Sequence, residues 1–251
     1  MRMTHRRFFM LLGACLIAAA VCLTGLLHEL ATYRSARQSY AALRQTISIP
    51  MPDDSPPLQE QTVDLDWVAA AKETLPGMTA WLRCEGTQLD YPVMQAVDNK
   101  FYLSHLADGS PNKLGALFLD CAAESDWSSP VSVIYGHDMR DGQLFGSLSG
   151  YKEQSYYDAH PSISLYTPQK AYQIELLAAY LVDGTSGSYP IGFADEAGMA
   201  DYLNEVRAQS FFETQARAVW GDRLVILSTC TYEFENARLA LVGRLRAAPA
   251  Q

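Results

Sequence analysis

Three side chains in this sequence are of the types, and at the kinds of position, that could do chemistry together. Cys230 closes the apolar run "RLVILSTC", Arg238 opens the next run, "RLALVGRLR", eight residues later, and His137 follows "PVSVIYG". A thiol at the C-terminal end of a strand can be exposed at a rim while the sheet fixes its position, which suits a nucleophile. It needs a base or a cation nearby to favour the thiolate. Three histidines lie beyond the first thirty residues: His105 in "YLSHLADG" sits in a polar turn, and His160 in "YYDAHPS" precedes a proline. His137 differs, because a strand and a glycine deliver it into a polar loop that turns back to bury Leu144 and Phe145. Its placement mirrors that of Cys230, so the two are expected at one rim. Arg238, returning after the short loop "TYEFENA", could aim a guanidinium at a developing oxyanion. Cysteine, histidine and arginine without an evident orienting Asp or Asn describe acyl transfer through a thioester. The ordinary alternatives are a core cysteine, a structural histidine, and an arginine paired at the surface with Glu233 or Glu235.

The elements that must position these residues are mostly short strands. "TAWLRCEG", "LDYPVMQ", "GALFLD", "PVSVIYG", "SISLYT", "AYQIELLAAYLV", "RLVILSTC" and "RLALVGRLR" are rich in β-branched and aromatic residues and are separated by turn formers. Eight such runs with few helical crossovers predict a mostly β protein, a closed or nearly closed barrel, in preference to a doubly wound sheet. One convincing helix is expected inside this domain, over 195–212, with Met199, Leu203, Val206 and Phe211 on a single stripe.

The N-terminus carries a different kind of segment. Residues 8–27 hold no charge, long enough to cross a bilayer as a helix, and Arg2, Arg6 and Arg7 precede them. The positive-inside rule then places residue 1 in the cytoplasm and the bulk of the chain outside. A cleaved signal peptide is the rival, since Ala18, Ala19 and Ala20 offer a peptidase site, but the apolar run continues past them. "LGAC" ending at Cys15 resembles a lipoprotein box, although "LIAAAVCL" follows where a polar tether would be needed. Residues 31–48 have helix-forming composition, and "IPMPDDSPPLQEQTVD", with four prolines, reads as an extended linker. The expected organisation is a cytoplasmic basic segment at 1–7, an anchor at 8–28, a juxtamembrane helix and linker at 29–64, and an extracellular domain at 65–251.

Charge and cysteine content exclude several functions. The 251 residues carry a net charge of -9; without the three arginines and one glutamate of the first thirty residues, 16 basic residues face 27 acidic ones, a net of -11. Such a domain is repelled by nucleic acid and by anionic headgroups. Outside the apolar segment with Cys15 and Cys22, the cysteines are Cys84, Cys121 and Cys230, an odd number without CxxC or metal-ligand spacing. Cys84 and Cys121 could pair, or each could be a small buried residue. No acid cluster resembles a calcium loop, so neither a metal nor a cofactor is expected.

The motifs taken together resemble the class B sortases, membrane-anchored cysteine transpeptidases of Gram-positive cell surfaces. "ILSTC" (226–230) is similar to the family's "TLxTC", "YGH" (135–137) to its histidine motif, "KLGALFLD" to its "GxIFxD" strand, and Arg238 to its arginine. "YPVMQAVDNKFYL" and "GQLFGSLSGY" stand where the family has related segments, and the likeness runs over 67–246. The resemblance implies an eight-stranded sortase-type β-barrel with an extra helix before the cysteine strand. It implies that Cys230 attacks a threonine carbonyl within an LPxTG-like or NPxTN-like sorting motif of an exported protein, that Arg238 stabilises the tetrahedral oxygen, and that His137 carries the proton. The acceptor would be a peptidoglycan cross-bridge or stem-peptide amine. It further implies that Asn99, Leu103, Tyr189 and Ser228 bind substrate. Taken as residues alone, Ser228 could instead bond its own sheet, Leu103 could be core, and Asn99 could cap the turn after Asp98. Two departures are Ile226, where the family has Thr, and Thr231, where an acidic or polar residue often follows the nucleophile. A surface cysteine peptidase or hydrolase, or a non-enzymatic binding domain, are the competing functions.

Overall fold

The structure is a computed structural model that describes residues 5–47, 65–139, 141–184, 189–231 and 233–248. Residues 1–4 of the expected basic segment and residues 48–64, which hold the proline-rich linker, lie outside the described residues. The chain divides into two units, residues 1–43 and 44–251. The first consists of most of α1 (His5–Thr46), a helix of 42 residues whose apolar part reaches a mean hydropathy of 1.9. Among the described residues it is the one helix long and apolar enough to cross a membrane. The expected anchor and juxtamembrane helix are not separate elements: from Leu26 to Ile49 there is neither Gly nor Pro, so nothing in the backbone interrupts the helix.

The second unit is an eight-stranded closed barrel, as the strand pattern predicts. Its strands are β1 (Met78–Arg83), β2 (Asp90–Met94), β3 (Leu117–Leu119), β4 (Val131–Tyr135), β5 (Ser162–Tyr166), β6 (Ala171–Asp183), β7 (Arg223–Cys230) and β8 (Ala237–Ala247). Around the barrel the order is β1-β2-β3-β4-β7-β8-β6-β5, closing through β1 and β5. The pairs β2–β3 and β4–β7 are parallel and the other six are antiparallel. A parallel pair cannot be joined by a hairpin, and β5, β6 and two α-helices fill the connection from β4 to β7.

Helices cover parts of the barrel, which is why its strands do not alternate simply between apolar and polar residues. All six residues of β1 are buried. Trp67 of α2 (Asp66–Thr74) stands edge-on to Trp81 and Tyr166, at centroid distances of 5.8 and 5.5 Å. The side chain of Asp195 accepts from Gly198 N and caps α4 (Glu196–Ala208), which buries Met199, Leu203 and Val206 against Val131, Val133, Leu224 and Ile226.

The helix is shorter than the expected 195–212, and Phe211 does not belong to its stripe. Beyond Ala208 the chain turns at Ser210, and Phe211 N–H donates to Ala179 O of β6. This leaves Phe211 at 38% exposure and turns Phe212 inward, where it stacks on Tyr157 of α3 (Gln154–Ala159) at 4.1 Å. Cys84 and Cys121 remain free thiols: Cys84 is buried with Sγ 3.6 Å from Tyr151 Oη, and Cys121 is exposed. Burial pushes the Cys84 thiol above its ordinary pKa, as befits a core residue.

Candidate active site

The parallel pairing of β4 with β7 sets the site. Tyr135 lies opposite Ser228 in register, so His137 and Cys230, each two residues further on, leave the sheet at the same rim. Two hydrogen bonds extend the pairing past the strand end: Gly136 N–H donates to Ser228 O (3.1 Å), and Thr229 Oγ1 donates to Gly136 O (2.8 Å). Gly136 is required by close approach, since a Cβ there would lie 2.4 Å from Leu117 Cδ2 and 2.7 Å from Phe145 Cδ2. The loop after His137 turns back as the sequence predicts, with Phe145 N–H donating to His137 O and both Leu144 and Phe145 fully buried. Leu144 has φ +50°, at a cost of about 1–3 kcal/mol. Burying two large apolar side chains, each worth about 1.5–3 kcal/mol, offsets this.

The imidazole of His137 lies with Nε2 3.0 Å from Leu103 O. A carbonyl only accepts, so Nε2 carries a proton in this arrangement. His105 and His160 lie elsewhere: His105 stacks on Phe101 at 4.1 Å, and His160 ends α3 beside Tyr156.

Arg238 is the direct antiparallel partner of Cys230, so their side chains share a face. Its Nη1 donates to Cys230 Sγ at 2.5 Å. The same planar fork can serve an oxygen developing beside that sulfur. Gly184 makes room for it, because a Cβ there would lie 2.7 Å from Arg238 Nε and 2.9 Å from Asn236 O. The surface pairing with Glu233 that the sequence also allows is not made. Glu233 instead receives Lys152 Nζ and Thr231 Oγ1, and Lys152 Nζ also donates to Thr231 Oγ1 (3.2 Å). These bonds hold the Glu233 carboxyl down at a pKa of about 2, the Lys152 hydrogen bond being the larger cause.

His137, Cys230 and Arg238 line one cleft of about 440 Å³, together with Asn99, Leu103, Tyr189 and Ser228. Phe118, Tyr135 and Val182 contribute to its mainly apolar wall, which Asp183 also lines. Leu103 is 44% exposed, so it is not core. Ser228 is buried, and its hydroxyl meets Tyr189 Oη at 2.8 Å instead of bonding within the sheet. Burial first of all pushes the Tyr189 phenol up to about 12. Asp98, not Asn99, caps the turn, accepting from Lys100 N and Phe101 N. Asn99 instead bridges Asp120 and Cys121: Nδ2 donates to Asp120 Oδ2 (3.0 Å), and Oδ1 accepts from Cys121 N (2.8 Å). Sequence reasoning did not single out Tyr135, Asp120, Gly184 or Lys152. Tyr135 and Asp120 stand inside the "YGH" and "GALFLD" motifs, whereas nothing in the sequence marks Gly184 or Lys152.

A thiol and guanidinium in contact, with an imidazole on the same mainly apolar cleft, are the groups that acyl transfer through a thioester needs. No family model matches the chain. Sortase B of Listeria monocytogenes is 32% identical to it over 172 residues, which cover 67% of this chain and 69% of that protein. Sortase B of Staphylococcus aureus is 26% identical over 170 residues, 67% of this chain and 70% of that protein. Among solved structures, a Staphylococcus aureus sortase B-substrate complex aligns with a TM-score of 0.75 at 23% identity, covering 86% of this chain and 98% of that one. Clostridium perfringens sortase B aligns with a TM-score of 0.65 at 28% identity, over 70% of this chain and 97% of that one. The chain belongs to the class B sortase family. It is therefore a cysteine transpeptidase acting on substrates that bear a sorting signal, and its N-terminal apolar helix fits a membrane anchor.

Proposed function

We propose that the chain cleaves a C-terminal LPxTG-like or NPxTN-like sorting motif of exported proteins after its threonine and transfers the upstream part to a peptidoglycan amine. The observation that carries this reading is the pairing of Cys230 with Arg238 across β7 and β8, with His137 at the end of the parallel neighbour. The Cys230 thiolate adds to the threonine carbonyl carbon, and Arg238 donates to the oxygen that becomes negative. As the intermediate collapses, the C–N bond breaks, His137 gives a proton to the departing amine, and the thioester remains. An incoming amine loses a proton to His137 and attacks the thioester carbonyl, which forms the new amide and releases the thiolate. Asn99, Leu103, Tyr189 and Ser228 hold the motif along the cleft, whose mainly apolar lining suits the side chains of such a motif. The domain at 65–251 works outside the cytoplasmic membrane, held by the anchor at 8–28 with residue 1 inside.

The test is mass spectrometry of a labelled motif peptide incubated with the chain, with and without a peptidoglycan-derived amine. The expected result is acceptor-dependent amide product and a trapped acyl-enzyme on Cys230, both lost in Cys230→Ala. Hydrolysis indifferent to any acceptor would instead make the chain a surface cysteine peptidase. Turnover that survives Cys230→Ala would remove the proposed nucleophile.

A further inference from the structure

Asp120 ends the run "GALFLD" just past β3 and touches two residues of the cleft without lining it. Its Oδ2 accepts from Asn99 Nδ2 and from Tyr135 Oη, both at 3.0 Å, and its Oδ1 accepts from Ala122 N at 2.9 Å. The backbone beneath it is held as well: Asp120 N–H donates to Val133 O, and Asp120 O accepts from Gln95 Nε2 at 2.9 Å and from Ala123 N. A carboxylate so fixed dictates what its two neighbours offer the cleft.

Asn99 has one arrangement that satisfies both contacts. Turning its amide over would set Oδ1 against a carboxylate oxygen and the NH₂ group against the Cys121 N–H, two like-with-like encounters. With Nδ2 committed to Asp120 through one hydrogen, the second N–H is left for the cleft that Asn99 lines. Tyr135 complements it. A phenol facing a carboxylate must donate, so only its lone pairs remain for another group.

Building on the transpeptidase reading, we propose that Asp120 is a positioning residue that locks the Asn99 carboxamide with an N–H toward the cleft. At Asn99 the wall thereby selects a substrate group that accepts a hydrogen bond, a main-chain carbonyl or a carboxamide oxygen. Without Asp120 only the Cys121 N–H would hold the Asn99 amide, and the wall would distinguish acceptors from donors less sharply. Burial and the neighbouring Asp120 carboxylate both raise the Tyr135 pKa, which keeps its phenol protonated as the lock requires.

Two measurements on the full chain in detergent micelles test this. In the first, the protein is labelled with ¹⁵N-asparagine and the Asn99 side-chain signals are assigned by their loss in Asn99→Ala. The wild type is expected to give two well-separated amide protons, one slow to exchange; in Asp120→Ala the separation and the protection are lost. Unchanged Asn99 signals in Asp120→Ala overturn the proposal, whether or not the enzyme turns over a peptide. In the second, steady-state kinetics with a labelled sorting-motif peptide are expected to show KM raised about tenfold in Asp120→Ala, the scale of one lost hydrogen bond, with kcat within about twofold of wild type. Asp120→Asn, which keeps an acceptor oxygen, should fall between. The Asn99→Ala/Asp120→Ala pair should be no worse than the more impaired single variant. Additive KM effects, or a fall in kcat and Tm with KM unchanged, overturn it. Absence of any turnover in the wild type would count against the proposed function, and the asparagine signals would still decide the lock.

Discussion

The three residues of the candidate catalytic set are unequal in what their substitution would test. Arg238 reaches Cys230 Sγ through a planar fork, and a lysine in its place keeps the charge and loses the geometry. Arg238→Lys is expected to lower turnover by about 10²-fold or more, on the scale of a lost oxyanion donor. Cys230 should still be alkylated by iodoacetamide in that variant. Turnover near that of wild type would leave Arg238 as a peripheral cation. A second residue tests the same contact from the other side. In Gly184→Ala the new Cβ collides with Arg238 Nε and with the Asn236 carbonyl, and the carbonyl cannot swing away as a side chain can. We expect kcat to fall at least about tenfold with a stability loss of only about 1 kcal/mol, read by kinetics and thermal unfolding together. Unchanged kcat would mean that the guanidinium has room that the packing does not indicate.

At the scale of elements, the rim is assembled from strand ends and the loops that tie them together. The β7–β8 loop joins Cys230 to Arg238, and Lys152, which follows the His137 loop through the 3₁₀ turn Gly146–Lys152, holds it through Thr231 and Glu233. Thr231 directly follows Cys230, and Glu233 supplies a carboxylate two residues later in the chain. An exposed pair of this kind contributes at most about 1 kcal/mol to stability, so its effect belongs in the placement of the loop. Lys152→Met and Glu233→Gln are each expected to lower kcat several-fold with Tm almost unchanged. The exchanged pair Lys152→Glu/Glu233→Lys should recover part of the loss. Equal activity in all variants would separate the loop tie from catalysis. The pH dependence has a definite sign. A lowered carboxyl pKa means that the contribution of Glu233 is fully present above the ordinary Glu range and is lost only as pH falls toward about 2. Glu233→Gln should therefore leave the shape of the pH–rate profile between pH 5 and 8 unchanged, and a displaced limb would contradict this assignment.

For the whole molecule, the relevant quantities are the apolar helix and the charge. α1 carries the hydropathy of a membrane span, while residues 31–251 have a net charge of -11 and would be repelled by anionic headgroups. The proposed arrangement is a barrel tethered outside the membrane and held off its surface. Protease added to wall-stripped cells should release a fragment of about the mass of residues 65–251, detected by immunoblot. Complete protection while the membrane is intact would reverse the orientation.

How far the sequence goes can be read from particular residues. Strand composition and turn formers were enough to mark eight strands, and the motifs around Tyr135, Cys230 and Arg238 were enough to mark one rim, because strand period and turn chemistry are local. The helix at Glu196–Ala208 was legible from Met199, Leu203 and Val206, but its end was not: the apolar pattern runs on through Phe211, and only the hydrogen bond from Phe211 to Ala179 of β6 turns Phe212 inward instead. The closed strand order, the parallel register that puts His137 level with Cys230, the space that Gly184 leaves for Arg238, and the locking of Asn99 by Asp120 all join residues between about 20 and 95 positions apart or across a strand pair. Such contacts have no local signature, since a side chain's neighbours across a barrel are set by pairing and shear, which the whole set of strands decides together.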